Sequence, residues 1–296
     1  MSFSTDVKKE LCSIRTEQAA TRAECHGMLV LCRSFSFDKI LFQSGVKEVA
    51  EHFCSLLRLS FDVIALVKQG GSKKPVYSVE IASLADRQRI LNMLAYENTN
   101  PLIINFDKIR ASGHIKEFIK GAFLSAGMVS NPEKEYRAEF SFKSNEVAAD
   151  FIGILDSKGF DFTMTYRAGK FLVYTKNSTT IEELLTYLGA GNETLNLIGV
   201  KVYKSIRNKS NRQNNFETSN IVKTANAAFK QTEAIKKLEQ AGKLATLPEE
   251  LLEAAKLRLN NPDMSLTNLC KLSKVSLTRS GLNHRLQKLL EMAEEL

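Results

Sequence analysis

The chain has 296 residues, enough for two or three units with a sizeable core. Lys and Arg number 41 against 33 Asp and Glu, a formal net charge of +8 that is compatible with a polyanionic partner without requiring one. Five cysteines without a CxxC pair and four scattered histidines argue against a disulfide framework and a zinc site. No apolar run approaches a membrane span, and MSFSTDVKKEL lacks a signal-peptide core. A cytoplasmic protein is expected, with no cofactor and no membrane partner.

In chain order, the first element is an apolar helix, ECHGMLVLC (residues 24–32). FSFDKILFQ (35–43) reads as a strand. An amphipathic helix follows, with Val49, Phe53 and Leu57 at i, i+4, i+8. Residues 63–83 read as strand, Gly70-Gly71 turn and strand, and Ser83 is placed to cap LADRQRILNML. The pattern then returns about one hundred residues later. EFIKGAFLSAG (117–127) is an apolar helix and YRAEFSFKS (136–144) a strand, followed by a helix with Val147, Phe151 and Leu155 in the same spacing. FTMTYRAGKFLVYTKNS reads as a hairpin turning at Ala168-Gly169, and Ser178 or Thr179 is expected to cap IEELLTYL. The economical reading is a pseudo-two-fold α+β domain with the two apolar helices meeting at its centre. Gly121, Ala122, Ser125 and Ala126 keep side chains short there, so that two backbones can approach. Gly127 is expected to end the second helix as a left-handed C-cap.

From Gly199 the character changes. KVYKSIRNKSNR (201–212) carries five basic residues and no acid, and reads either as a solvated linker or as a phosphate-contacting arm. NIVKTANAAFKQTEAIKKLEQAG is a connecting helix closed by Gly242. LATLPEELLEAAKLRLNNP is a helix with Pro248, Glu249 and Glu250 in its first turn. Ser265 can cap LTNLCKLS, and a short connection through Lys274, Val275 and Ser276 leads to TRSGLNHRLQKLLEMAEEL. Three helices with a tight turn between the last two read as an all-α helix-turn-helix domain.

Residues 265–290 contain Lys271, Lys274, Arg279, Arg285 and Lys288 and no Asp or Glu. Leu282, Leu286 and Leu289 form an apolar stripe; Arg279, Ser280, Asn283 and Gln287 lie off it. Arg can pair with guanine and Asn with adenine in the major groove. Lys274, Thr278 and Lys288 suit phosphate contacts, and Thr267, Lys271, Ser276 and Arg285 complete the candidate DNA-binding set. His284 is assigned to packing or backbone contact. The alternative is a trihelical protein-binding module.

The segments SFSTDVKKEL, IKGAFLSAGMVSNPEKEYRAEF, NFETSNIVKTANAA and LTRSGLNHRLQKL resemble the WhiA family of bacterial transcription regulators, a branch of the LAGLIDADG homing-endonuclease fold. The likeness covers nearly the whole chain. It implies two LAGLIDADG-like halves (1–106 and 107–206), a basic linker and connecting helix (207–245) and a helix-turn-helix domain (246–296). It also implies a role in regulating genes of sporulation, cell division or chromosome segregation. The expected partner is double-stranded DNA on the nucleoid, with other transcription factors or an RNA polymerase sigma factor as further candidates.

A nuclease of this fold needs a carboxylate near the C-terminal end of each central helix to hold Mg²⁺. Aligned on the family motif, Ala126 falls at that position in the second helix, Leu124 at the earlier acidic one, and Cys32 at the acid position of the first. Neither Cys32 nor Ala126 supplies a hard oxygen ligand. Glu24, Asp38, Glu133 and Glu135 lie out of register. Arg33 stands where family members usually keep Gly. The chain is therefore expected not to be an enzyme. The rivals are a divergent DNA endonuclease and a scaffold whose saddle, bearing Lys68, Lys73, Lys74, Arg167 and Lys170, binds a protein or small ligand.

Overall fold

The computed structural model of the chain describes residues 2–72, 74–96, 106–273 and 276–296. Lys73, Lys274 and Val275 lie outside the described residues. The chain divides into two compact units, Met1–Lys204 and Ser205–Leu296.

The first unit is mixed α and β. Its first half runs α1 (Phe3–Ser13), α2 (Gln18–Val30), β1 (Ser34–Phe35), β2 (Ile40–Ser44), α3 (Lys47–Phe61), β3 (Val67–Gly70), β4 (Val76–Ile81) and α4 (Leu84–Met93). The second runs α5 (Phe106–Ala111), α6 (Ile115–Ala126), β5 (Gly127–Val129), β6 (Ala138–Phe142), α7 (Asn145–Asp156), β7 (Thr163–Arg167), β8 (Lys170–Thr175) and α8 (Ser178–Leu188). Both halves build an antiparallel sheet in the same order, β1-β2-β4-β3 and β5-β6-β8-β7. The duplication read from spacing is thus repeated in topology.

Period-two alternation explains the sheets. Ile40, Phe42, Val79 and Ile81 point into the core of the first half, as Ala138, Phe140, Phe142 and Val173 do in the second. Phe42 stacks on Phe53 of α3 with ring centroids 4.5 Å apart, and Phe140 meets Phe151 of α7 at 4.8 Å. These are the phenylalanines that the two amphipathic helices share by spacing. The opposite faces of both sheets carry polar residues: Gln43, Ser78 and Lys68 in one, Ser141, Thr165, Arg167 and Lys170 in the other.

At the centre α2 crosses α6 at backbone contact. A Cβ on Gly27 would lie 2.0 Å from the Phe118 carbonyl oxygen, and one on Gly121 would lie 1.9 Å from that of Glu24. Each glycine presses on the carbonyl three residues before the other, so the contact is reciprocal. Beside the crossing, Glu24 is wholly buried. Its carboxylate accepts from Thr16 Oγ1, from His52 Nε2 at 2.7 Å and from Lys120 Nζ at 3.1 Å. Lys120, 3% exposed, also donates to Thr16 Oγ1 at 3.1 Å.

Four local expectations are corrected. The single strand at 35–43 is a tight hairpin, because Ser36 N bonds Lys39 O at 3.0 Å and folds β1 onto β2. Gly127 is extended, at φ −75° and ψ 149°, and opens β5; it is small because a Cβ would strike the Phe123 ring at 2.4 Å. Asn177, rather than Ser178 or Thr179, caps α8 by accepting from Thr179 N at 2.9 Å. The basic segment and the connecting helix are one helix, α9 (Gly191–Gln240). Its first amides, Asn192 N and Glu193 N, are taken up by the Glu10 carboxylate at 2.8 and 3.0 Å. The Ala168-Gly169 turn has positive φ at both residues, as a two-residue hairpin requires.

Two buried groups set a pH dependence. His26 is hydrogen-bonded to Tyr96 Oη at 2.6 Å, and burial pushes its pKa from 6.5 down to about 4. The native state binds fewer protons than the unfolded chain across that interval, so stability is lost as pH falls from 6.5 to about 4. Burial pushes the Glu24 carboxyl up, but His52, Lys120 and Thr16 outweigh it and the net shift is downward. Its contribution is present above the unfolded value and is lost as pH falls through the lowered folded one. Urea unfolding repeated across this range is expected to show stability declining with acidification. His26→Phe is expected to flatten the upper part of that decline.

Candidate nucleic-acid interface

The second unit carries three helices after the end of α9: α10 (Glu249–Asn260), α11 (Leu266–Leu272) and α12 (Arg279–Glu294). Side chains mark where they begin. Ser265 Oγ accepts from Asn268 N, and Thr278 Oγ1 from Gly281 N at 3.1 Å. Pro248 stands at the N-cap of α10, one place before the first turn. Leu282, Leu286 and Leu289 of α12 are buried against Leu251, Ala254 and Ala255 of α10, Leu269 of α11, and Ile235 and Leu238 of α9. Lys237 Nζ donates to Ala293 O at 2.8 Å, which ties the end of α9 to the end of α12.

One residue that sequence reading passed over fixes the turn between α10 and α11. Arg258 is 1% exposed. Its Nη1 donates to Met264 O at 2.6 Å and to Asn261 O at 3.3 Å. The signal was present, since Arg258 continues the Leu251, Ala254, Ala255 face of α10. Arg258→Met removes the donor from half-buried carbonyls and is expected to destabilise this unit by about 1–3 kcal/mol, read as an earlier loss of helical circular dichroism on heating.

The buried leucine stripe leaves the other face of α12 to solvent. Arg279, Ser280, Asn283, His284, Gln287 and Lys288 are all exposed, as are Thr267 and Lys271 on α11 and Ser276 and Thr278 before α12. Arg279, Asn283 and Gln287 recur every four residues from the helix start and so share a face. Arg285 differs: its Nη2 donates to Glu250 Oε2 at 3.0 Å.

In the first unit, a basin of about 940 Å³ opens where the central helices end. Cys32 and Ala126 line it, with Arg33, Gln43, Lys143 and Lys170. Cys32 Sγ donates to Ser34 O at 2.9 Å, and burial pushes its thiol up to about 12.

Comparison with known proteins identifies both units. Residues 115–207 match the WhiA LAGLIDADG-like domain and residues 210–293 the WhiA C-terminal HTH domain. A probable cell division protein WhiA of Clostridium acetobutylicum is 34% identical over 100% of this chain and 98% of its own length. One of Lactococcus lactis is 34% identical with the same coverage. The chain belongs to the WhiA family. The crystal structure of full-length DUF199/WhiA from Thermatoga maritima covers 100% of this chain and 99% of its own, with a TM-score of 0.61 at 21% identity. That likeness supports the fold: a LAGLIDADG domain followed by a helical domain.

The reciprocal glycine contact sets the register between the two WhiA helix motifs. Position 27 faces 121, a displacement of 94 that carries 25–33 onto 119–127. Cys32 is thereby equivalent to Ala126, and Arg33 to Gly127. The acids considered as substitutes are not gathered at the basin. Glu24 is locked beside the helix crossing, Glu135 accepts from Ser130 Oγ at 3.2 Å, and neither these nor Asp38 and Glu133 line the basin.

Proposed function

We propose that this WhiA-family chain is a DNA-binding transcription regulator. Helix α12 enters the major groove, with Arg279, Ser280 and Asn283 reading base edges. Thr267, Lys271, Lys274, Ser276, Thr278, Arg285 and Lys288 contact phosphates. The observation that carries the proposal is the exposed surface of α11 and of α12 up to residue 290, a stretch (265–290) with five basic residues and no Asp or Glu, mounted on a buried leucine stripe that fixes its geometry. The names of its relatives attach those proteins to cell division. Genes of division, sporulation or chromosome segregation are accordingly the targets proposed here, and the nucleoid is the proposed location.

The same proposal makes the duplicated domain a nuclease fold without cleavage. Magnesium requires hard oxygen ligands. The acid positions hold a protonated thiol that is already bonded and an alanine, and no carboxylate lines the basin among the described residues. These residues do not fit the metal.

Arg279→Ala is expected to lower affinity for a specific duplex by about 1–3 kcal/mol and to relax preference at one base pair. A titration giving unchanged affinity removes Arg279 from the interface. Lys271→Ala and Lys288→Ala are expected to weaken all sequences alike and to lower the salt slope by about one each. Supercoiled plasmid incubated with the protein and Mg²⁺ or Mn²⁺ is expected to stay supercoiled.

A further inference from the structure

The pseudo-symmetry of the first unit breaks in charge at Arg33, on the wall of the basin. Gly127 follows α6, and its equivalent after α2 is Arg33. Glycine would bring no charge to this wall; Arg33 brings a guanidinium. Its Nη1 donates to Gln43 Oε1 at 2.6 Å, which holds the group in place and leaves its other N–H groups without partners among the described residues. Lys143 Nζ donates to the Arg33 carbonyl oxygen, setting a second cation beside the first and leaving two of its three N–H donors over. Lys170, next to the Ala168-Gly169 turn, lines the same basin and is unpartnered among the described residues.

No Asp or Glu offsets these three cations among the described lining residues. Acids on the adjoining sheet faces are already engaged, Glu80 by Lys39 at 3.4 Å and Glu139 by Arg137 at 2.6 Å. Ser34 and Ser141 add hydroxyl donors to the wall. A concave, low-dielectric surface lined by one sign of charge concentrates the opposite sign. A nuclease of this fold holds metal cations at the ends of its central helices. Here the charge is inverted.

We propose that this basin is an oxyanion site that takes a phosphate group directly, through Arg33, Lys143 and Lys170. The phosphate comes either from a DNA backbone lying on the saddle or from a free phosphate compound. The inference concerns a different unit from the helix-turn-helix reading and stands without it.

The test uses the full-length chain. Inorganic pyrophosphate is titrated by calorimetry against wild type, Arg33→Gly, Lys143→Gln, Lys170→Gln and, as a control, the exposed Lys158→Gln. Saturable binding is expected. Each basin variant should weaken it about tenfold, the value of one charge-assisted hydrogen bond, with melting temperatures unchanged. Lys158→Gln should match wild type. A second arm measures a short duplex of arbitrary sequence on a chain carrying Lys271→Ala, Lys274→Ala and Lys288→Ala, which removes the lysines proposed to hold phosphates in the helix-turn-helix. Duplex binding that falls in the basin variants and is displaced by pyrophosphate identifies the backbone as the source. A loss confined to pyrophosphate identifies a free phosphate compound. The proposal is overturned if neither probe saturates, or if the basin variants bind both probes as Lys158→Gln does.

Discussion

Gly121→Ala should unfold the large unit under conditions in which the native chain is folded. The new methyl carbon would sit 1.9 Å from the Glu24 carbonyl oxygen and 3.0 Å from Met28 N. Both are backbone atoms of a buried helix, so no rotamer change relieves the overlap and the two helices must separate. Separation opens the core, because α2 and α6 carry Cys25, Met28, Leu29, Ile119, Ala122 and Phe123, all fully buried. Overpacking of a core ordinarily costs about 1–3 kcal/mol, and a clash between two backbones exceeds that range. Gly27→Ala should do the same. Gly153→Ala is the comparison: it lies in α7, where a Cβ meets nothing within 4 Å, and should stabilise by about 0.5–1 kcal/mol. A Gly121→Ala protein that melts with the native one would show that the helices do not cross at these glycines.

Glu24→Gln should cost about 3–5 kcal/mol, because it leaves the buried Lys120 ammonium without its counter-charge. Glutamine is nearly isosteric, so packing changes little and the loss reports electrostatics. Lys120→Met in the Glu24→Gln background removes the stranded charge and should recover most of the stability. Chemical denaturation of Glu24→Gln, of Lys120→Met alone and of the double variant, with the native chain, forms the cycle that isolates the pair. If Glu24→Gln and the double variant are equally stable, the pair does not hold the crossing.

The duplication was legible because each half repeats Val, Phe and Leu at helical spacing before a Gly-containing hairpin, and the same phenylalanines meet the sheets in both. The helix-turn-helix was legible from Ser265, whose hydroxyl begins a helix, and from the leucine stripe; Thr278, read from sequence as a phosphate contact, is also the cap of α12. What sequence did not show depends on contacts distant along the chain. Lys120 is a charge inside an apolar helix, and its reason is visible only with Glu24, 96 positions earlier, against it. The Glu10 cap of α9 joins residues 182 apart. The Ser36–Lys39 turn was hidden because Ser36 and Asp38 alternate with Phe35 and Phe37, a period of two that reads as a continuous strand. Gly127 was assigned to a left-handed cap from its position after a helix, whereas the ring and backbone of Phe123 are what exclude a side chain. The basin is legible only once Arg33, Lys143 and Lys170, far apart in sequence, share a wall.

The central claim is that α12 reads DNA and that the LAGLIDADG-like domain does not cut it. The most direct measurement incubates the full-length chain, and the chain with Arg279→Ala and Asn283→Ala, with sheared bacterial genomic DNA in the presence of Mg²⁺. The retained fragments are then sequenced and their ends mapped. The account predicts a restricted set of fragments sharing a sequence element, recovered intact, and no such set with the substituted chain. Retention without sequence preference, an unchanged set with the substituted chain, or new ends at a fixed sequence would contradict it.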